Sequence, residues 1–149
     1  MLFEEKEFNI FTDFNEEEKQ SFLAICSPES CSAGETILEE GQMTRSLYII
    51  DEGEVSIGLE IEGQTVVLAE MKNHDFFGEM SFLDGKLHSA TVKATKDTTF
   101  FIVRKFSFDI FAKKNPEISK KLYENIIKTL LCRLRNTNTI IRELKEDKN

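Results

Sequence analysis

The sequence contains few of the residues that build metal sites and disulfide scaffolds, and it contains no long apolar run. Its three cysteines, Cys26, Cys31 and Cys132, are too few and too scattered for a disulfide framework. The pair in "CSPESC" has no second Cys or His pair to complete a zinc site. No apolar run approaches the roughly 20 residues that cross a bilayer, and the acidic start "MLFEEKEFN" is unlike a signal peptide. We therefore expect no metal site, no membrane segment and a reducing, cytoplasmic location.

Positive charge is scarce in the first half of the chain. Residues 1–70 hold 17 acidic and 3 basic side chains, whereas residues 71–149 hold 10 acidic and 16 basic ones, for a net charge of −8. An overall negative charge argues against non-specific binding to nucleic acid. The asymmetry has two interpretations: attraction between the two halves across the fold, or an anion site in the second half.

The length of 149 residues suits one domain with a single core, and we predict one domain over residues 1–149. An N-terminal helix is predicted at about 15–26, where Asn15 and Glu18 have the spacing of a capping box.

A different pattern follows this helix. All seven glycines lie between residues 34 and 85, and they separate short β-rich runs that extend from about 34 to 105. Many short strands with regular turns predict a mainly β fold of the sandwich or barrel type. A helical pattern returns at about 107–147, where Ser107 can cap a short helix.

The last predicted helix carries a seven-residue repeat. Asn115 suits its N-cap and Pro116 its first turn. Two neighbouring rows then recur every seven residues: Ile127, Leu134 and Ile141, and Leu130, Thr137 and Leu144. Such a stripe packs either on the protein's own strands or on a second copy of the helix. We favour the second, a homodimer through the C-terminal helix.

The stretch "FGEMSFLDGKLHSATVKA" has features of a small anion site. Gly78 allows a ligand to approach the backbone, and the amides of Glu79, Met80 and Ser81 would open a short helix with unpaired N–H groups. The Glu79 carboxylate is unsuited to phosphate but suits a sugar hydroxyl, from which it would accept a hydrogen bond. Ser89 adds a hydroxyl at the next strand. A glycine turn followed by a surface helical turn explains the stretch equally well.

The same stretch resembles the phosphate-binding cassette of the cyclic-nucleotide-binding domain family. "SLYIIDEGEVSI" resembles the family's second and third strands, and "NPEISKKLYENIIKTLLCRLR" resembles the helix after its β-roll. The resemblance covers essentially the whole chain. It implies a jelly-roll-type β-roll (a double-stranded β-helix) with flanking helices and a long C-terminal helix. A cyclic nucleotide, cAMP or cGMP, would lie in the roll as a ligand, with no obligatory cofactor.

The resemblance also implies a set of ligand contacts. Phosphate or ribose contacts would come from Gly78, Glu79, Met80, Ser81, Ser89 and Ala90. Among these, Glu79 would accept the ribose 2′-hydroxyl. Thr137 and Asn138 match positions that reach the base in the bacterial activators of the family. A polar residue at 137 equally suits a second role, setting the register of a helix pair.

His88 departs from the family's pattern, which has an arginine there. An imidazole is mostly neutral at neutral pH and cannot form the two-pronged ion pair of a guanidinium with phosphate. One interpretation makes His88 an ordinary exposed turn residue beside an empty or altered pocket. A second is weakened or pH-sensitive nucleotide binding, with Lys86 or Arg45 as substitute cations, and a third is a different ligand.

These observations favour a stand-alone regulatory domain that senses a cyclic nucleotide and signals through an unidentified protein partner. The alternative is a degenerate domain that acts as a ligand-independent dimeric interaction module. The chain ends at Asn149, without room for the helix-turn-helix of the activators, so direct DNA binding is not expected. Two histidines, His74 and His88, are too few for a metal-dependent enzyme of the cupin type, and no catalytic triad is apparent.

Overall fold

The computed structural model describes residues 8–147, which form eight strands and four helices. In chain order these are α1 (Glu16–Leu23), β1 (Ser27–Cys31), β2 (Thr36–Leu38), β3 (Ser46–Glu52), β4 (Val55–Ile61), β5 (Gln64–Met71), β6 (Phe76–Phe77), α2 (Glu79–Asp84), β7 (Thr91–Ala94), β8 (Thr98–Arg104), α3 (Lys105–Lys114) and α4 (Pro116–Asp147). The strands form two antiparallel four-stranded sheets, ordered β1-β8-β3-β6 and β2-β7-β4-β5. The predicted mainly β fold with a long C-terminal helix is confirmed.

Strand β3 is buried on both faces, which explains its uninterrupted apolar sequence. Successive side chains of a strand point to opposite faces of the sheet. Tyr48 and Ile50 accordingly pack in the core between the two sheets, whereas Leu47 and Ile49 pack in a second core beneath the helices. The sheet is therefore sandwiched between the other sheet and the helical layer.

The helical layer is filled by aromatic side chains. Phe22 of α1, Phe82 of α2, and Phe108 and Phe111 of α3 all lie in the core beneath the helices. Phe108 contacts both Phe22 and Phe82 edge to face, with ring centroids 6.4 and 5.6 Å apart. This packing fixes α2, a helix of only six residues, against the rest of the domain.

Strand β1 was not predicted, and the strands begin earlier than the expected boundary near residue 34. "SPESC" contains a proline, which cannot donate a ladder hydrogen bond. The proline is tolerated because β1 is an edge strand, paired only with β8, with Ser27 opposite Ile102 and Cys31 opposite Thr98. All three cysteines are free.

The helix boundaries differ from the expected ones by a few residues. The capping box of α1 is present, with the Glu18 amide donating to Asn15 Oδ1 at 2.8 Å. The helix ends at Leu23 rather than near residue 26, and α3 begins at Lys105, so Ser107 lies inside that helix and does not cap it. The single-domain organisation of residues 1–149 stays a prediction, since residues 1–7 and 148–149 lie outside the described chain.

Candidate functional site

The cassette, defined here as residues 77–94, runs from the end of β6 through α2 and a loop into β7. Gly78 is the N-cap of α2. Its φ of 78° is a left-handed conformation that residues with a side chain rarely adopt. A Cβ atom here would lie 2.9 Å from Tyr48 Cδ1 and 3.0 Å from the Ser46 carbonyl oxygen. The glycine is therefore required by packing against β3, in addition to any ligand.

Most of the predicted site residues line one small cavity. Its volume is about 80 Å³. The lining residues are Leu38, Ile57, Phe77, Gly78, Glu79, Met80, Ser81, His88, Ser89, Ala90 and Val92. The fold thus brings together seven of the nine predicted residues, and Thr137 and Asn138 are not among them. A larger, more open hollow of about 410 Å³ at β1 and β8 contains none of the predicted residues.

The Glu79 carboxylate pairs with a residue that was not predicted, Arg133 of α4. Arg133 Nη1 donates to Glu79 Oε1 at 2.9 Å, and Nη2 donates to the Phe76 carbonyl oxygen at 2.8 Å. The guanidinium also lies 4.7 Å from the centre of the Phe76 ring. These contacts join the cassette to α4. The sequence gives only a weak signal for this pairing. A buried carboxylate needs a cationic partner, but α4 has four basic residues between positions 128 and 142, and their spacing does not single out Arg133.

Two hydroxyl groups in the cavity differ in how they are satisfied. Ser81 is 1% exposed, and its Oγ is fully buried without a hydrogen-bond partner among the described residues. Ser89 Oγ lies 3.7 Å from the Met80 sulfur, a weak acceptor. Orphaned buried hydroxyls are rare in folded proteins, and Ser81 Oγ, which has no accessible surface here, would meet a ligand atom only in a more open form of the cavity.

His88 is buried, so the interpretation as an ordinary exposed turn residue is wrong. The residue is 6% exposed, and its Nε2 atom lies 2.8 Å from Thr44 Oγ1. The His88 amide donates to the Gln42 carbonyl oxygen, and the Gly41 amide donates to the His88 carbonyl oxygen. Desolvation lowers the pKa of His88, and the nearby Glu79 carboxylate partly opposes this shift. The imidazole is therefore neutral at neutral pH.

Neither of the two substitute cations lines the cavity. The Arg45 guanidinium lies beside Gly85, the residue that directly follows α2. Lys86 is exposed, and its amide donates to Asp84 Oδ1 at 2.9 Å. The one carboxylate in the lining is that of Glu79, and it is bonded to the Arg133 guanidinium.

The two base-contact residues predicted on the last helix lie on the exposed part of α4. Thr137 Oγ1 donates to the Arg133 carbonyl oxygen at 3.0 Å, one turn earlier, and Asn138 is exposed. Four apolar members of the seven-residue repeat are exposed too: Ile127, Leu134, Ile141 and Leu144. Leu130, the remaining apolar member, packs instead against the core beneath the helices.

Two further predictions concern metals and membranes. Within residues 8–147, no group of three or more His, Cys, Asp or Glu side chains is placed to hold a metal ion. Over the same residues, none of the helices combines the length and apolarity needed to span a bilayer.

Comparisons with known proteins match the chain to one family. A family model described as the cyclic nucleotide-binding domain matches residues 28–115, more than half of the chain. The catabolite activator protein of Thermus thermophilus superimposes with a TM-score of 0.79 at 25% identity, over 91% of this chain and 62% of that one. A cyclic nucleotide-binding domain from Methylobacillus flagellatus gives 0.82 at 24% identity, over 89% and 75%.

The third similar structure is PfPKA-R with cAMP bound. It has a TM-score of 0.60 and 27% identity, over 68% of this chain and 36% of that one. This chain thus spans less than two thirds of the length of the Thermus protein and of PfPKA-R.

Proposed function

The chain belongs to the cyclic nucleotide-binding domain family, and we propose that it is a regulatory module that binds a cyclic nucleotide weakly in the cassette cavity and passes the signal to α4. The role is regulatory rather than catalytic, and a protein partner receives the signal. The ligand class is supported by the family and by the cAMP bound to the similar PfPKA-R. A cytoplasmic location stays a prediction.

The observation that carries this proposal is that Glu79 and Ser81 line one cavity and that the buried Ser81 hydroxyl has no hydrogen-bond partner among the described residues. A buried hydroxyl without a partner costs about 1–3 kcal/mol of stability, and a ligand oxygen would remove that cost. Glu79 keeps one carboxylate oxygen, Oε2, to which no described residue donates a hydrogen bond, since Arg133 bonds to Oε1 alone. A ribose hydroxyl has the chemistry to donate to that second oxygen.

The size of the cavity implies that binding changes the protein's conformation. Small-molecule sites usually enclose about 300–1,000 Å³, whereas this cavity measures about 80 Å³. A nucleotide would therefore bind an opened form, and it would shift the population toward that form because it binds the two forms unequally. Since Glu79 bonds to Arg133, opening at the cassette would be transmitted to α4.

The proposed affinity is low because of His88. A neutral imidazole replaces a charge-assisted pair with one ordinary hydrogen bond, which costs about 1.5–3 kcal/mol in a pocket. This corresponds to a loss of about ten- to over a hundredfold in affinity. We therefore expect dissociation constants well above those of domains with an arginine at this position.

Calorimetric titration of the full chain tests this proposal. We expect cAMP or cGMP to bind with measurable heat at high micromolar to millimolar concentration, and 5′-AMP, which lacks the cyclic ester, to bind more weakly. Absence of heat and of any thermal shift with both cyclic nucleotides at millimolar concentration would contradict nucleotide sensing.

The second candidate function is a ligand-independent dimeric module, and the exposed stripe of α4 favours it. Ile127, Leu134 and Ile141 are spaced by seven residues and are more than half exposed, as expected for a helix that pairs with a second copy. Sedimentation equilibrium should show a dimer that Leu134→Glu converts to a monomer. Dimerisation that is unchanged by saturating cAMP supports this module, and a dimer constant that shifts with cAMP supports the sensor.

A further inference from the structure

A chain of two hydroxyl groups connects β3 to His88. Tyr48 Oη lies 3.1 Å from Thr44 Oγ1, and Thr44 Oγ1 lies 2.8 Å from His88 Nε2. The Tyr48 ring is 5% exposed and stacks on Phe77 with centroids 5.1 Å apart, which fixes the direction of the phenol. Thr44 is also held by its backbone, since Ser46 Oγ donates to the Thr44 carbonyl oxygen at 3.1 Å.

The hydrogen-bond donors in this chain of hydroxyl groups can be assigned from the acceptors that each group can reach. Thr44 Oγ1 is the only hydrogen-bond partner of the Tyr48 hydroxyl in residues 8–147, so the phenol donates to Thr44. Thr44 Oγ1 can then donate its own proton to His88 Nε2, the ring nitrogen within reach. A neutral imidazole carries one proton, so this direction of donation requires an unprotonated Nε2 and a protonated Nδ1.

His88 Nδ1 is free to contact a ligand. It makes no hydrogen bond with any described residue, and it is absent from the fully buried polar atoms that lack a partner, so it keeps accessible surface. His88 lines the cassette cavity. The charged group that acts on the ring is the Glu79 carboxylate of α2, which pairs with Arg133 of α4. The titratable group of β3 that belongs to the hydroxyl chain is Tyr48 itself.

We propose that Thr44 and Tyr48 are positioning residues that hold His88 as a neutral donor, with its Nδ1 proton directed to an anionic oxygen of the ligand. The inference rests on the proposed function, since it assigns His88 to the singly charged phosphodiester of a cyclic nucleotide. An arginine needs no such arrangement, because all of its N–H groups are donors. A histidine in the other tautomer would present a lone pair to the phosphate and weaken binding.

Nitrogen NMR of the full chain tests the tautomer directly. The protein has two histidines, and His74→Asn assigns the signals while suiting the φ of 69° at that position. At neutral pH we expect a protonated Nδ1 and an unprotonated Nε2 for His88. Thr44→Val should remove this fixed tautomer, Thr44→Ser should restore it, and Tyr48→Phe should weaken it. Tyr123→Phe alters the other tyrosine, which packs on Phe108 away from the cavity, and should leave the signals unchanged.

A cAMP titration of the same variants separates this inference from the proposed function. We expect Thr44→Val to lower cAMP affinity several-fold and Thr44→Ser to retain it. A protonated Nε2 in the wild type would overturn the inference whatever the affinity for cAMP, and so would unchanged cAMP affinity in Thr44→Val. A third outcome is the expected tautomer together with no cyclic-nucleotide binding at any concentration. It would support the hydrogen bonds of the hydroxyl chain but contradict both its proposed role in ligand binding and the proposed function. Since the wild-type spectrum alone decides the tautomer, an unfolded variant does not obscure the result.

Discussion

The two ends of the cassette are held by different parts of the molecule. The first end, Gly78–Ser81, is joined to α4, because the Glu79 carboxylate pairs with Arg133 at 2.9 Å. The second end, His88–Ala90, is joined to the loop before β3, because His88 Nε2 lies 2.8 Å from Thr44 Oγ1. The first end contains groups that suit a ribose, whereas the second has an imidazole where the family's pattern has a guanidinium.

A sensor must both bind its ligand and transmit the binding, and the two ends of the cassette would contribute to these two properties separately. Contacts at the first end reach α4, and they would determine whether binding is transmitted. Contacts at the second end involve no charged side chain, and they would determine how tightly an anion binds. A domain can therefore lose affinity at His88 while it keeps the connection between Glu79 and α4, and the following predictions test whether the two properties are independent.

Arg133→Ala should have the largest effect on stability. The substitution leaves the Glu79 carboxylate buried without its cation, and we expect the free energy of unfolding to fall by about 2–3 kcal/mol, less than for a fully buried pair. The matched control is Lys96→Ala, which breaks a pair between Glu54 and a lysine side chain that is 70% exposed and should cost less than about 1 kcal/mol. Denaturant unfolding measures both, and equal effects would mean that the Glu79–Arg133 pair is no stronger than a surface pair.

His88→Arg should have the largest effect on affinity. A guanidinium at the second end restores a charge-assisted pair with phosphate, and cAMP affinity should rise about ten- to a hundredfold. Leu87→Arg adds the same charge at the preceding, exposed residue and should change affinity little. Calorimetry compares the two, and an equal gain in both would show that general charge, rather than position 88, limits binding.

Ser81→Ala should change stability and affinity in opposite directions. Removal of the orphaned hydroxyl should raise the free energy of unfolding by about 1 kcal/mol, while cAMP affinity should fall several-fold. Thr129→Val removes a second orphaned hydroxyl, located on α4 and absent from the cavity lining, and should stabilise the protein without changing affinity. A loss of affinity in both variants would contradict a direct role for Ser81.

The smallest effect concerns pH. Burial lowers the pKa of folded His88 below the ordinary value of 6.5, so the unfolded chain binds a proton more readily than the folded one. The contribution of His88 to stability is therefore full above pH 6.5 and decreases as the pH falls toward the folded pKa. His88→Gln should abolish this part of the pH dependence in thermal unfolding. A wild-type profile that is identical to that of His88→Gln would contradict the predicted direction.

The fold was largely predictable from the sequence because its signals are local. Regular glycine turns and short apolar runs predicted the strands, and the Asn15–Glu18 spacing predicted a capping box that the structure confirms. Strand β1 was missed because "SPESC" has neither alternation nor a strong β propensity, and it is a strand only through its pairing with β8. An edge strand of this kind depends on tertiary context.

The candidate site was predictable only in part. Residues close in sequence, Gly78–Ser81 and His88–Ala90, line one cavity. Arg133 lies 54 residues from Glu79 along the chain, and Thr44 lies 44 from His88, so neither contact leaves a local signal. The burial of His88 was also missed, because a polar loop residue between Leu87 and Ser89 has no pattern that indicates an inward orientation.

The central claim is that ligand binding at the cassette changes α4 through the Glu79–Arg133 pair. Amide hydrogen exchange along α4 tests this claim most directly. The measurement compares the His88→Arg variant with and without saturating cAMP. The same comparison is then made in the double variant His88→Arg, Arg133→Met, in which the methionine keeps an apolar side chain but no charge. We predict that cAMP changes protection around residues 128–139 in His88→Arg and leaves it unchanged in the double variant. The same change in both proteins, or none in either while cAMP is bound, would contradict the account.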